Sequence, residues 1–153
     1  NEVVRVSHEL GIGNLVARVT TMAVKLGPNF KFQISKQFQN QNFQALFGET
    51  WKKYYEKMEE FRCNEVLAEV WGLISVCDKY IEEKRPWEEK PESEEVISEL
   101  LIALGNIARM LEPFLSSTAE EILRRLGVSE KEQKKWGFRV ESGPSLFPRI
   151  EKK

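Results

Sequence analysis

Two polar side chains near the start of the chain could contact a nucleic-acid base. Asn14 and Arg18 lie four residues apart, so on a helix they share one face, one turn apart. An amide matches the donors and acceptors of base edges, and a guanidinium can bond a base or a phosphate or stack on a base plane. Gly11 and Gly13 precede them and would let a ligand approach the backbone. Alone, this pair is also typical of ordinary surface polarity.

A tryptophan in a charged segment could supply an aromatic partner for such a pair. Trp87 follows Pro86 in "YIEEKRPWEEKP", residues 80–91. Proline ends a helix because it lacks an amide hydrogen and disfavours helical geometry in the residue before it. The indole would then stand at a helix end, where it could stack on an unpaired RNA base and contribute about 1 to 3 kcal/mol. Alternatively, Trp87 folds back against the core.

Residues suited to catalysis or metal binding are nearly absent. His8 is the only histidine, which excludes metal sites with several histidines. A catalytic Cys-His pair would have to combine His8 with a cysteine from an unrelated helix. The sequence has no GxxxxGK[ST] loop, and "LGIGNLVAR" lacks the dinucleotide-binding glycine spacing. We therefore expect no catalytic residue, metal site or cofactor in this chain.

Length and composition indicate one domain, and its charge is unevenly distributed along the chain. The 153 residues, 41% of them hydrophobic, can bury one continuous core, so residues 1–153 are predicted to form a single domain. The formal net charge is -1, but residues 1–40 carry a net +3, residues 62–123 a net -8 and residues 124–153 a net +5. An anionic partner should meet the first segment or the tail.

The sequence gives no sign of a membrane segment or of a disulfide. It has no apolar run of roughly 18 residues and no signal peptide, which predicts a cytoplasmic protein without a membrane partner. Cys63 and Cys77 lie fourteen residues apart on one predicted helix, too far to bridge. We expect both to be reduced core thiols.

Apolar residues recur every three or four positions, which predicts an all-α helix bundle of about five helices. The first helix should extend to about residue 26, with a kink or a close backbone approach at its glycines. The second should cover residues 43–61, whose aromatic stripe, Phe43 to Phe61, predicts core packing.

The later helix boundaries follow from capping residues and prolines. Asn64 is predicted to cap the third helix, which Pro86 ends. The fourth helix, from about residue 93 to Pro113, has an apolar face wide enough for two neighbours. Ser116 or Ser117 should cap the fifth, which has glutamates in its first turn and ends at Gly127. A short charged helix near residues 129–136 and an extended end at 143–150 should follow.

Four segments of the chain resemble the C-terminal helical region of methionyl-tRNA synthetases, class I enzymes with a helix-bundle anticodon-binding domain. They are "HELGIGNLVARVTTM", "VWGLISVCDKYIEEKRPWE", "LGNIARMLEPFLSSTAEEILRRLG" and "PSLFPRIE". In that family the matching asparagine, arginine and tryptophan contact the CAU anticodon, and the tryptophan stacks on its first base. The resemblance assigns these roles to Asn14, Arg18 and Trp87, and implies that the first and third helices lie side by side.

The resemblance also implies partners that this chain does not contain. The HIGH-type and KMSKS-type sequences, with which these enzymes bind ATP and activate methionine, are missing. We therefore expect a catalytic domain upstream in the same enzyme, which binds ATP and methionine. The chain itself is expected to bind the anticodon loop of methionine tRNA without aminoacylating it.

Two other functions remain open on the sequence alone. An all-α interaction or scaffold domain, with an apolar groove for a partner helix, would also explain the apolar stripes and the acidic middle. The same domain of a related class I synthetase, for valine, isoleucine, leucine or cysteine, is the second alternative. The Pro-Trp pair and the closing "LFPRIE" favour the methionine branch.

Overall fold

A computed structural model of the protein describes residues 2–27, 41–127 and 140–147. These residues form five α-helices and one 3-10 turn and contain no strand: α1 Glu2–Lys25, α2 Gln41–Glu59, α3 Cys63–Lys84, the 3-10 turn Pro86–Glu88, α4 Ser93–Leu111 and α5 Ser116–Leu126. The prediction of an all-α bundle of about five helices is confirmed. The short helix predicted near residues 129–136 lies outside the described residues.

Helix α4 is the centre of the bundle and contacts all four other helices. Its buried residues number 14 of 19, so most of its circumference is covered. The sequence pattern predicted that α4 is buried against two neighbouring helices, whereas it is buried against four. Leu104 is fully buried at the middle of the helix, and its replacement by alanine is expected to cost about 2 to 5 kcal/mol.

Hydrogen bonds from aromatic side chains tie α2 and α3 to this central helix. The Trp51 indole donates to the side chain of Asn106 over 3.0 Å, and the Tyr54 hydroxyl donates to the backbone carbonyl of Met110 over 2.8 Å. The Tyr80 hydroxyl donates to Glu99, a carboxylate that is only 4% exposed. Burial raises the pKa of Glu99, and the Tyr80 hydrogen bond opposes that shift. Each buried polar group of these pairs therefore has a partner.

Helix α1 lies against both α3 and α4. It continues unbroken through Gly11 and Gly13, where the sequence predicted either a kink or a close approach. A Cβ atom on Gly13 would lie 3.1 Å from the ring of Phe147, and one on Gly11 would lie 3.7 Å from Nε1 of Trp71. The close approach is confirmed, and the glycines leave room for aromatic side chains.

The predicted N-caps of the third and fifth helices are wrong. Helix α3 begins at Cys63 after Arg62, so Asn64 is inside its first turn. Helix α5 begins at Ser116 after Leu115, so the glutamates lie beyond its first turn. Neither helix has a side-chain cap hydrogen bond. The turns before these helices set their starts, so local capping chemistry did not decide the boundary.

The ends of α3 and α5 agree with the sequence prediction. Helix α3 stops before Pro86, and the intervening Arg85 takes a left-handed conformation with φ 46°. Gly127 follows α5 with φ 72°, the conformation that glycine adopts most readily.

Two residues at the corner between α2 and α3 are exposed where core packing was predicted. Phe61 lies beyond the end of α2, has a φ of 56° and is 89% exposed. Cys63 is exposed as the first residue of α3, whereas Cys77 is buried. The predicted core packing is therefore wrong for Phe61, because α2 ends at Glu59, and for Cys63, because it begins α3 at the exposed corner.

The described C-terminal segment, residues 140–147, returns along α5 and reaches α1. Arg125, 3% exposed, donates to the Pro144 carbonyl over 2.7 Å and to the Glu121 carboxylate over 2.8 Å. The Glu141 amide donates to the Arg125 carbonyl over 2.8 Å. Phe147 then packs beside Gly13. This segment contains no helix, which agrees with the extended end predicted at residues 143–150 as far as residue 147; residues 148–150 lie outside the described part of the structure.

None of the described helices combines the length and apolar character that crossing a membrane requires.

Candidate nucleic-acid interface

Trp87 stands in the 3-10 turn that follows α3. The turn begins because Arg85, in its left-handed conformation, still donates its amide to the Ile81 carbonyl over 2.9 Å, after which Pro86 cannot continue the helix. Pro86 is buried and anchors the turn, whereas Trp87 is 47% exposed. The indole is therefore held at a helix end with about half of its surface accessible, rather than folded fully into the core.

Arg18 and Trp87 line the same cleft between α1 and the 3-10 turn. The cleft also includes Ala17, Thr21 and Met22, and its volume is about 370 Å³. This space is the α1 cleft. It forms because α1 runs alongside α3, so the turn after α3 is carried to the middle of α1. The side-by-side arrangement implied by the resemblance is confirmed, and it brings two of the three predicted site residues together.

Asn14 lies outside the lining of the α1 cleft. It is exposed on the same helical face as Arg18, one turn nearer the start of α1. At 1.5 Å rise per residue, the two residues are separated by about 6 Å along the helix axis. Asn14 is therefore placed beside the cleft, where it could contact a neighbouring group of a ligand that occupies it.

Two carboxylates of α3 pair with the Arg18 guanidinium. Its Nη2 lies 2.7 Å from Oε1 of Glu82, and its Nη1 lies 3.8 Å from Oδ1 of Asp78. Burial raises the pKa of Asp78, the Arg18 charge lowers it in part, and Glu82 adds to the increase. A guanidinium has more donors than these contacts use, so Arg18 can also bond a ligand while it stays paired.

The acidic residue directly after Trp87 is balanced by its own neighbours. The Glu88 carboxylate lies 2.8 Å from the Lys90 amine and 3.4 Å from the Arg85 guanidinium. The hydrogen bond from Lys90, followed by the contact with Arg85, lowers the pKa of Glu88. The charge of Glu88 beside the indole is therefore balanced locally, which reduces its repulsion of a phosphate backbone.

Sequence reasoning did not single out the other residues of the α1 cleft. Ala17 and Thr21 are four residues apart, as are Arg18 and Met22, so the four form two adjacent rows on one face of α1. The same spacing that linked Asn14 to Arg18 could have identified Met22 by extending the row once more. That Trp87 lies opposite these rows could not be inferred from spacing, because it belongs to a distant part of the chain.

No group of three or more potential metal ligands occurs among the described residues. The side chain of His8, the only histidine, lies outside the described part of the structure.

Comparison with known protein families assigns the chain to a class. Residues 40–142 match the model of a family described as the anticodon-binding domain of tRNA ligase. The match covers more than half of the chain, which therefore belongs to this family.

Its relatives within that class are methionine–tRNA ligases. The chain is 29% identical to the enzyme of Bacillus subtilis over 96% of its own length and 25% of the relative's. It is 31% identical to that of Listeria monocytogenes serotype 4b, with the same two coverages. The chain thus spans about a quarter of the length of these curated relatives.

Solved structures show the same fold. Mycobacterium tuberculosis methionyl-tRNA synthetase bound by methionyl-adenylate superposes with a TM-score of 0.74 at 17% identity, covering 95% of this chain and 33% of that one. The free state of that enzyme gives a TM-score of 0.75. The resemblance to methionyl-tRNA synthetases that the sequence motifs indicated is confirmed.

Proposed function

We propose that this chain recognises the CAU anticodon of methionine tRNA as one part of a methionine–tRNA ligase. The observation that carries the proposal is the α1 cleft, in which a half-exposed indole and a guanidinium from different elements face the same space. Aromatic stacking and directed hydrogen bonds are the two interactions with which proteins read unpaired RNA bases. The family match supports the same function.

Each site residue takes a distinct role in this proposal. Trp87 stacks on the first anticodon base, which contributes about 1 to 3 kcal/mol. Arg18 donates hydrogen bonds to base acceptors at the cleft, and Asn14, one turn away, contacts the base or ribose beside it. The basic residues of segments 1–40 and 124–153 attract the phosphate backbone.

The correct anticodon base is distinguished from a wrong one because a wrong base leaves polar groups of the site unpaired. A wrong base would leave a donor of Arg18 or of Asn14 without an acceptor, at a cost of about 1 to 3 kcal/mol when the site is closed to water. In the complete enzyme, binding of the anticodon loop orients the tRNA so that its acceptor end reaches a separate catalytic domain. That domain binds ATP and methionine, acts in the cytoplasm with this one, and supplies the catalytic residues.

A titration with two transcripts tests the proposal. Methionine tRNA and a transcript with one altered anticodon base are each titrated against the unmodified chain, Trp87→Ala and Phe61→Ala. Phe61 is a matched control because it is an exposed aromatic that precedes α3, whereas Trp87 follows α3, roughly 30 Å away by the helical rise.

The unmodified chain is expected to prefer the CAU transcript, Trp87→Ala should weaken binding of that transcript about five- to 150-fold, and Phe61→Ala should bind it as the unmodified chain does. Helical circular dichroism and the thermal midpoint should be unchanged in both variants. Equal binding of both transcripts by the unmodified chain would reject the proposal. A collapse of stability in Trp87→Ala would show that the indole supports the core instead.

The scaffold alternative has less support from the fold. The apolar stripes of the helices are buried against one another, and large exposed apolar side chains in the described residues are spread over three elements and the corner before α3: Val24, Tyr55, Phe61 and Trp87. Such dispersed residues do not form the continuous apolar groove that a partner helix requires.

A further inference from the structure

The α1 cleft contains a hydroxyl group to which neither the sequence motifs nor the family match assigns a role. Thr21 is exposed and lines the cleft together with Arg18 and Trp87. Ala17 lies one turn before Thr21 in the same row and is also exposed. A larger side chain at Ala17 would project into the space between α1 and the indole.

The lining has a specific division of hydrogen-bonding groups. Trp87 and Met22 present mainly apolar surface in this lining, on which a planar base can pack. Arg18 can only donate hydrogen bonds, because a guanidinium has no acceptor. Thr21 is the side chain in the lining whose oxygen can accept one.

These groups match one type of base edge. Cytosine carries two acceptors, the O2 oxygen and the N3 nitrogen, beside the exocyclic N4 amino donor. Arg18 can bond the acceptors, but the amino group needs an acceptor, which Thr21 provides. A hydroxyl could also donate to the O4 oxygen of uracil, but the N–H group at N3 of uracil would face the Arg18 donors without a partner, so uracil cannot take the position in which Thr21 contacts it.

We propose that Thr21 is a specificity-determining residue of the α1 cleft, accepting a hydrogen bond from the exocyclic amino group of the stacked base, and that the small side chain of Ala17 leaves space for that base. This inference rests on the proposed function, since it assumes that the cleft holds an anticodon base. It adds to that function a hydroxyl group that distinguishes between bases, on Thr21, and a small residue that keeps the cleft open, Ala17.

The first test exchanges the hydroxyl for a methyl group of similar size. A stem-loop RNA with a CAU anticodon, and the same stem-loop with uridine in place of the cytosine, are titrated against the unmodified chain, Thr21→Val and Thr21→Ser. Thr21→Val should weaken binding of the cytosine loop about five-fold, the typical net value of one hydrogen bond, with little effect on the uridine loop. Thr21→Ser should retain the preference of the unmodified chain.

The outcomes separate this inference from the function on which it rests. If the unmodified chain prefers the cytosine loop and Thr21→Val keeps that preference in full, the role of Thr21 is rejected and the anticodon-binding function stands. An equal loss for both loops in Thr21→Val would also reject a reading role. If the unmodified chain binds both loops equally, the proposed function and this inference fail together.

The second test closes the cleft without removing a charge or a hydrogen bond. Ala17→Leu should weaken binding of the cytosine loop at least ten-fold, because the added side chain occupies the space of the base. Ala68→Leu is the matched control, since Ala68 is an exposed helical alanine near the start of α3, away from the cleft. Full binding by Ala17→Leu, with circular dichroism that matches the control, would show that no base enters the cleft.

Discussion

Arg18 on α1 donates a hydrogen bond of 2.7 Å to the carboxylate of Glu82 on α3. The guanidinium lines the α1 cleft, and the pair places the negative charge of Glu82 next to it. The two side chains are 33% and 64% exposed, so the pair adds little to stability, about 0 to 1 kcal/mol. Its main effect is expected on binding.

Glu82→Gln should strengthen binding of a CAU stem-loop RNA about two- to five-fold, because it removes a negative charge and leaves Arg18 with a weaker, uncharged acceptor. The thermal midpoint should change little. Glu83→Gln is the matched control, since Glu83 is exposed in the same turn and no described ion pair includes it. Weaker binding by Glu82→Gln than by the control would mean that Glu82 serves to orient Arg18. Titration at two salt concentrations measures both effects.

The two cysteines should differ sharply in their reaction with a thiol reagent. Burial raises the pKa of the Cys77 thiol to about 12, with a smaller contribution from Asp78, so at about pH 8 it is protonated as well as inaccessible. Cys63 is exposed at the start of α3. In the folded chain one thiol should react quickly and the second only in denaturant. Cys63→Ser should abolish the fast reaction, and a persistent fast phase in that variant would contradict the burial of Cys77.

Glu121 should make the fold sensitive to acid. Hydrogen bonds from Arg124 and then Arg125 lower the pKa of Glu121 to about 2. A carboxyl whose pKa is lower in the folded state than the ordinary value of about 4.5 stabilises the fold above that value, and this contribution is lost as the pH falls toward 2. Glu121→Gln should therefore lower stability at neutral pH by about 1 to 3 kcal/mol, because the buried Arg125 loses the opposite charge of its carboxylate partner and keeps only uncharged acceptors, the new amide and the Pro144 carbonyl.

The acid profile of the same variant supplies the check. Between about pH 4.5 and pH 2 the difference in unfolding free energy between the unmodified chain and Glu121→Gln should shrink. Glu120→Gln, a neighbouring exposed residue outside the described ion pairs, serves as control and should retain the acid sensitivity. A difference that stays constant with pH would show that the loss at neutral pH comes from packing alone. Denaturant titrations at several pH values measure it.

Gly13→Ala should stabilise the chain less than Gly48→Ala does. Both glycines lie inside helices, where alanine is favoured by about 1 kcal/mol. A Cβ atom on Gly48 would meet nothing within 4 Å, whereas one on Gly13 would lie 3.1 Å from the Phe147 ring. In a Phe147→Ala background the two substitutions should become equivalent. A persistent difference there would show that Phe147 is not the obstacle, and thermal midpoints of the four variants decide it.

The helical class of this protein was readable from its sequence because each helix buries a wide apolar stripe with a spacing of three to four residues. Proline and glycine then marked the ends of α3 and α5 through backbone geometry that other residues do not share. The starts of the same helices could not be read in this way. Asn64 and Ser116 are good capping residues, but the preceding turns placed them inside the helix.

The candidate site divides in the same way. The side-chain chemistry of Asn14, Arg18 and Trp87, and the spacing of the first two on one helical face, are properties of the sequence. The binding roles that the resemblance assigns to them remain predictions. What brings Trp87 to α1 is the packing of α1 beside α3, which involves residues more than sixty positions apart in the chain.

The sequence alone therefore determined the helices, the family and the kind of chemistry, because periodicity and motif are local properties. Only the tertiary structure decided that Glu82 pairs with Arg18, that Phe147 fills the space at Gly13, and that Thr21 and Ala17 share a cleft with Trp87. Each of these contacts depends on how two separate segments approach each other. How the segments approach each other depends on burial of the whole apolar core around α4. The sequence of any single segment is therefore not enough to predict it.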